Sequence, residues 1–371
     1  MAQVPINPEV LRWAIKTSGV TAQDLTTITG RSKDVVDGWL TGDKKPLKGD
    51  VDSFAKRLGR SNQFFLLPRP PASAPSVALF RSAVVGKPRD ETDELNAVRS
   101  AQRLQRVATW AEPAQRAIEF PRMSKSPQKS AARFQDALGW NIDFQIKATS
   151  KSALFKKLRS HVEDLGIIVL LQAIGVDNCR GFSLPDSRAP LILVNKSYDL
   201  ASLRTYTLLH ELAHLASGDA RICHTSDSRA ERWCDEFAAA FLLPEQHLRS
   251  YLEFKKCDFV KSNNLDLVRL ISERYKASWH AVAIRLKELG LADQSLVDVV
   301  AAGSGEVPGI AFSRTPRTRP VHRIDEFGTR FTRLILRARE SEKLTELDAR
   351  RYLKVNGQEL NEVHGLLRGA S

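Results

Sequence analysis

The stretch Arg204-Thr-Tyr-Thr-Leu-Leu-His210-Glu211-Leu-Ala-His214-Leu-Ala-Ser217 decides how the centre of this 371-residue chain is read. Its apolar residues recur at helical spacing. At 100° per residue His210 and His214 stand about 40° apart and one turn along, so both imidazoles can reach one ion from the same face. Glu211 lies beside the pair, where it can take a proton from a water on that ion. Catalytic zinc sites keep three protein ligands and leave one corner to solvent, so the third ligand must come from elsewhere in the chain. One arrangement needs a Gly seven and a His ten residues after the first His, but Ser217 and Ala220 stand there. A second needs a Glu on a later antiparallel helix, with a side chain one turn on that orients an imidazole. Arg229-Ala-Glu231-Arg-Trp-Cys-Asp235-Glu-Phe-Ala-Ala-Ala240-Phe-Leu-Leu-Pro244 supplies both residues on one face, and Ala238 to Ala240 leave room for close helix contact. Asp219 and the pair Cys223/His224, in the loop 218–227, are the competing ligands. Cys234 reads as a small buried hydrophobe. His161, His247, His280, His322 and His364 read as surface or packed residues.

Outward from this core, Gly166–Leu171, Gly181–Leu184 and Leu191–Asn195 are short runs rich in β-branched and other apolar residues, bounded by turn formers, and read as strands. Glu94–Ala117 and Ser150–Leu165 show helical spacing, and everything after Tyr198 reads helical. The fold class is therefore α+β, with all-α flanks. Four prolines between Pro68 and Pro75 mark a stiff linker over 68–77, and the Gly/Pro-rich stretch 301–320 marks a second. This divides the chain into 1–67, a central domain over 78–300 with its catalytic core at about 160–300, and a helical module over 321–371. In the first segment, helices expected at Asn7–Thr17, Thr21–Thr27 and Ser32–Leu40, with a turn at Gly30, have helix-turn-helix spacing. Ser32, Lys33, Lys44 and Lys45 are its candidate DNA contacts, although Asp34 and Asp37 on the same helix oppose phosphates. In the last segment, Phe327–Arg339 reads as one basic amphipathic helix carrying Arg330, Arg333 and Arg337, a candidate second nucleic-acid contact or a solvated face.

Composition bounds the function. The chain carries 56 Lys+Arg against 43 Asp+Glu, a net +13, which favours polyanionic partners without implying sequence selectivity. The surplus lies in the flanks, while residues 161–300 hold 16 basic against 19 acidic side chains. Four cysteines with no Cys-x-x-Cys pair are too few and too scattered for a disulfide framework. No leader-like start and no apolar run near the ~18 residues needed to span a bilayer is present, so a cytoplasmic protein without membrane contact is expected.

The centre resembles the ImmA/IrrE family of zinc metallopeptidases. The resemblance is carried by Arg180-Gly-Phe-Ser, Leu193-Val-Asn195, Thr207-Leu-Leu-His-Glu-Leu-Ala-His-Leu215, Glu231…Phe237-Ala-Ala…Leu242-Leu-Pro244 and Val282–Leu291. Trp39…Gly42…Pro46 similarly resembles the lambda-repressor-like (XRE) helix-turn-helix family over roughly residues 5–67. In the centre Asp235 stands where Asn is usual, Cys234 where Ala is usual, and Trp233 where a polar residue is common. The resemblance implies a gluzincin-like, zincin fold with one zinc per chain on His210, His214 and Glu231, Glu211 as base, and Asp235 orienting a ligand. It also implies a substrate that is a helix-turn-helix repressor or antitoxin, cleaved in a stress or mobile-element response. The competing reading is a DNA-binding regulator or antitoxin whose zinc site is structural or vestigial. On the peptidase reading, Leu191–Asn195 would form a sheet edge to which an extended substrate adds by backbone hydrogen bonds. The sequence does not name the group that would meet an oxyanion besides zinc; Tyr206, His224 and Arg204 are only neighbours in sequence.

Overall fold

The computed structural model describes residues 3–16, 20–71, 92–175, 179–217, 229–255, 264–302 and 317–369. Among them are eighteen α-helices and one three-stranded sheet, the expected α+β class. The chain forms two compact units, Met1–Arg103 and Leu104–Ser371. No helix among the described residues is long and apolar enough to cross a membrane.

The first unit contains α1 (Pro8–Lys16), α2 (Ala22–Thr29), α3 (Lys33–Thr41), α4 (Lys48–Arg57), a short 3-10 turn at Asn62–Leu66, and the beginning of α5 (Thr92–Ala111). Its helix ends follow from local chemistry. Thr21 and Asp24 cap α2 reciprocally, with Asp24 N–H on Thr21 Oγ1 at 3.2 Å and Thr21 N–H on Asp24 Oδ2 at 2.7 Å. Gly30 then takes the left-handed conformation at φ 66°, which turns the chain into α3. Leu11, Leu25, Val36, Trp39, Phe54 and Phe65 form the core, and the Phe54 ring meets Phe65 edge-on with centroids 5.0 Å apart. Residues 92–103 join this unit because the Arg99 guanidinium donates to the Leu58 carbonyl at the end of α4, where a cation is favourable. The compact unit thus runs past the expected boundary at residue 67. Residues 72–91, which hold most of the expected first linker, lie outside the described residues.

The second unit contains α6 (Pro127–Ala137), α7 (Ile142–Ile146), α8 (Lys151–Asp164), β1 (Ile168–Gln172), β2 (Gly181–Leu184) and β3 (Leu191–Asn195). It continues through α9 (Ala201–Ser217), α10 (Arg229–Leu242), α11 (Glu245–Phe254), α12 (Leu265–Tyr275), α13 (Trp279–Glu288) and α14 (Gln294–Ala301). It closes with α15 (Arg319–Phe327), α16 (Thr329–Glu340), α17 (Glu346–Leu353) and α18 (Gly357–Arg368). The sheet order is β1-β3-β2, with β1 parallel and β2 antiparallel to β3. Leu191–Asn195, expected at an edge, is therefore the central strand. All five of its residues are buried, as its unalternating Leu-Ile-Leu-Val run requires when both faces and both edges are covered.

The last fifty residues pack on the sheet within this same unit, so the break expected near 301–320 does not separate two compact bodies. Residues 303–316 lie outside the described residues. The helix expected over Phe327–Arg339 is broken at Gly328 (φ 80°, ψ 160°), which divides α15 from α16. A Cβ at Gly328 would lie 2.1 Å from Glu163 Oε1 and 2.9 Å from the Val169 carbonyl, so only glycine admits this approach. The buried Glu163 carboxylate accepts Arg159 Nε–H at 3.0 Å and the Thr329 and Arg330 backbone N–H groups at 3.0 and 3.2 Å. Arg159 in turn donates to the Asp325 carbonyl at 2.6 Å and to the Val169 carbonyl of β1. On α16, Arg330 pairs with Glu112 at 3.3 Å, and Phe331, Leu334, Ile335 and Leu336 are buried. Of the three arginines expected on its basic face, Arg330 is thus paired and Arg333 is half-buried, while Arg337 is exposed.

Candidate metal centre

Helix α9 lies close over the sheet because β2 begins with Gly181. A Cβ there would come within 2.6 Å of Thr207 Cγ2 and 3.5 Å of Glu211 Cγ. Helix α10 packs alongside α9, and its Ala238 and Ala239 are fully buried. This approach brings His210, His214 and Glu231 together, with one ligand atom of each within 4.8 Å of the others. The two Nε2 atoms are 3.1 Å apart, His210 Nε2 is 3.2 Å from Glu231 Oε2, and His214 Nε2 is 3.5 Å from Glu231 Oε1. Two nitrogens bound tetrahedrally to one ion at about 2.05 Å would lie about 3.3 Å apart. Two imidazole nitrogens and one carboxylate thus face a common point and could hold a metal ion.

The far side of each imidazole is also held. His210 Nδ1 is 2.9 Å from Asp235 Oδ1, and the same oxygen accepts the Tyr206 hydroxyl at 2.6 Å. With Nδ1–H given to Asp235, the His210 Nε2 lone pair is directed at the common point. His214 Nδ1 lies 3.6 Å from Cys234 Sγ, within hydrogen-bond reach for sulfur. Cys234 is buried as the sequence suggests, but it contacts a ligand as well as filling space. Burial and the Asp235 charge push the Tyr206 hydroxyl far up, so it stays a donor. Asp235→Ala is expected to weaken metal binding about 10- to 100-fold, read by competition with a chromogenic chelator. Asp235→Asn, which keeps the acceptor, should retain most of the affinity.

Glu211 is 4% exposed. Burial raises its pKa, against the opposing charges of His214 and His210 and a hydrogen bond from the Ser183 hydroxyl of β2. Its raised pKa makes the Glu211 carboxylate, held beside the three donors, a readier proton acceptor than an exposed one.

The structure gathers His210, Glu211, His214, Glu231 and Asp235 at one point. Asp219, Cys223 and His224 lie outside the described residues. His161, His247, His322 and His364 lie elsewhere: the first is bonded to the Leu138 carbonyl and the last is paired with Glu340. His280 is different. Its ring stands perpendicular to that of Tyr206 with centroids 5.5 Å apart, and burial lowers its pKa, favouring the neutral imidazole. It comes from α13, and no spacing rule ties it to the pair. Arg204 does not join the group; its acidic neighbours are Asp199 and Asp325. In the first unit, Ser32, Lys33, Lys44 and Lys45 are all exposed, and Lys44 folds its chain over Gly38 with Nζ 3.4 Å from the Asp34 carbonyl.

Residues 162–287 match the IrrE N-terminal-like domain, Peptidase M78. The matched segment runs from the end of α8 to α13 and contains the strands, His210, Glu211, His214 and Glu231 together. The peptidase M78 match supports the ImmA/IrrE resemblance and implies a metallopeptidase-like function for this segment. No curated protein and no solved structure matches the chain. The helix-turn-helix reading of the first unit rests on its own helices and turns.

Proposed function

We propose that the protein is a zinc-dependent endopeptidase that cleaves a regulatory protein, a helix-turn-helix repressor or antitoxin. The observation that carries this reading is the pairing of a three-donor set with a buried carboxylate, Glu211, that is not itself one of the donors. A purely structural zinc site takes four protein ligands and has no use for a base. Zinc held by His210, His214 and Glu231 would polarise a carbonyl and lower the pKa of a bound water. Asp235 and Cys234 hold the imidazoles in the tautomer that ligation needs. Glu211 accepts a proton and returns it to the departing amine, and Ser183 keeps its carboxylate in place.

The substrate edge on this reading is β2. Arg180 O accepts Asn195 N–H at 2.8 Å, and alternation along an antiparallel pair then turns the N–H and C=O of Gly181 and Ser183 away from β3. No strand among the described residues covers that side. An extended peptide added there would lie beside Glu211, whose partner Ser183 belongs to the same strand. The outer side of β1 is occupied by Arg159 and Gly328 and offers no such edge. The helical unit in front would set where cleavage happens, by holding DNA through Ser32, Lys33, Lys44 and Lys45 or by holding the partner protein.

The test is cleavage itself. The zinc-loaded chain, incubated with the helix-turn-helix protein encoded beside its own gene, should yield two fragments whose intact masses sum to the substrate plus water. Chelator-treated chain should leave the substrate whole. A substrate that stays intact with zinc fully bound would overturn the reading.

A further inference from the structure

A cavity of about 220 Å³ lies between α8, the ends of β1 and β3, the first turns of α9, and α15, and no residue of the metal centre lines it. Phe155, Leu171 and Ala201 give it an apolar wall. Around them stand five cations and two acids, and most of these groups are already spent. Arg159 is engaged by Glu163 and the Asp325 carbonyl. Lys156 and Arg317 share Asp325 at 3.4 and 2.9 Å. Glu326 is taken by Arg323 and by Lys354.

Lys196 and Arg204 remain. Among the described residues neither has an acidic partner within 4.0 Å, and Arg204 Nε is a buried donor with no hydrogen-bond partner. Leaving a buried donor unmade costs about 1–3 kcal/mol, more when it is charged. Burial also pulls the Arg204 pKa down, against the opposing charges of Asp199 and Asp325. The positive end of the 17-residue helix α9 opens on the same cavity at Ala201.

We infer that this cavity binds a small organic phosphate monoester, its head between Lys196 and Arg204 and its apolar body against Phe155 and Leu171. Two leftover cations match the charge of about −1.5 to −2 that such a head carries at neutral pH. A volume below the ~300 Å³ at which drug-sized pockets begin restricts the body to a few carbons or one ring. Arg204 precedes His210 by six residues, about 9 Å along the helix axis. Because Arg317 and Asp325 form the opposite wall, the occupant braces the C-terminal helices against the helix that carries the imidazole pair. The inference does not depend on what the metal centre cleaves.

The test uses the 371-residue chain after chelator treatment, so that no bound metal competes for the probe. Phenyl phosphate, titrated calorimetrically near physiological ionic strength, should bind at one site per chain with a Kd below about 1 mM. Inorganic phosphate and benzoate should each bind at least about tenfold more weakly, the first lacking the body and the second the dianionic head. Arg204→Gln and Lys196→Gln should each weaken phenyl phosphate at least about tenfold, whereas Lys129→Gln, on the exposed surface of α6, should leave it unchanged. Lys196 is itself exposed, so its variant folds even if Arg204→Gln does not. No saturable binding to the wild-type chain, equal affinity in both cavity variants, or an equal loss in Lys129→Gln would each overturn the inference.

Discussion

Glu211→Gln is expected to lower kcat/KM for peptide hydrolysis by about 10²- to 10⁴-fold while the metal bound per chain stays unchanged. The substitution is isosteric and keeps the acceptor oxygen for the Ser183 hydroxyl, so the packing of α9 over β2 survives. It removes a buried carboxylate at the centre that is not one of the three donors and can carry a proton. Metal analysis beside single-turnover kinetics separates this from Glu231→Ala, which removes a donor and should lose metal and activity together. If Glu211→Gln kept near-wild-type turnover, Glu211 would not be the base and the peptidase mechanism proposed above would fail.

The second large effect lies far from the metal. Glu163→Ala is expected to destabilise the second unit by about 3–5 kcal/mol. Truncation leaves the Arg159 guanidinium buried with its ion pair gone, and strips the acceptor from two N–H groups at the start of α16. For a body of this size each kcal/mol moves the thermal midpoint by roughly 2–4 °C, so calorimetry resolves the change easily. Glu163→Gln, which still accepts hydrogen bonds, should lose less. An unchanged midpoint in Glu163→Ala would mean that α16 is held by its apolar face alone.

The metal-centre residues were legible in the sequence for a geometric reason. His210 and His214 share one helix, so their relation depends only on helical periodicity, and Glu231 with Asp235 repeats that relation on the next helix. Neither pair needs knowledge of the tertiary fold; only the meeting of α9 and α10 does, and the alanines at 238–240 announce it. The strands were legible as strands, but their order was not. A buried apolar run looks alike at the centre and at the edge of a small sheet, and only pairing with β1 and β2 places Leu191–Asn195 between them. Cys234 and His280 carried no positional signal, because one acts through a contact across two helices and the other comes from α13. The break at Gly328 was hidden for a similar reason. Helical spacing continues across it, and the cause of the break is Glu163, 165 positions earlier in the chain.

The clasp formed by Arg159, Glu163 and Gly328 also settles the fate of a strand. β1 carries Ile-Val-Leu-Leu, a short hydrophobic run whose far backbone edge is covered by Arg159 of α8 and by the close approach of Gly328, where the last fifty residues fold back over it. Released from that cover, such an edge is a template for recruiting strands from other molecules. Removal of residues 317–369 would therefore do more than trim a tail: it would bare part of that edge, and aggregation would follow.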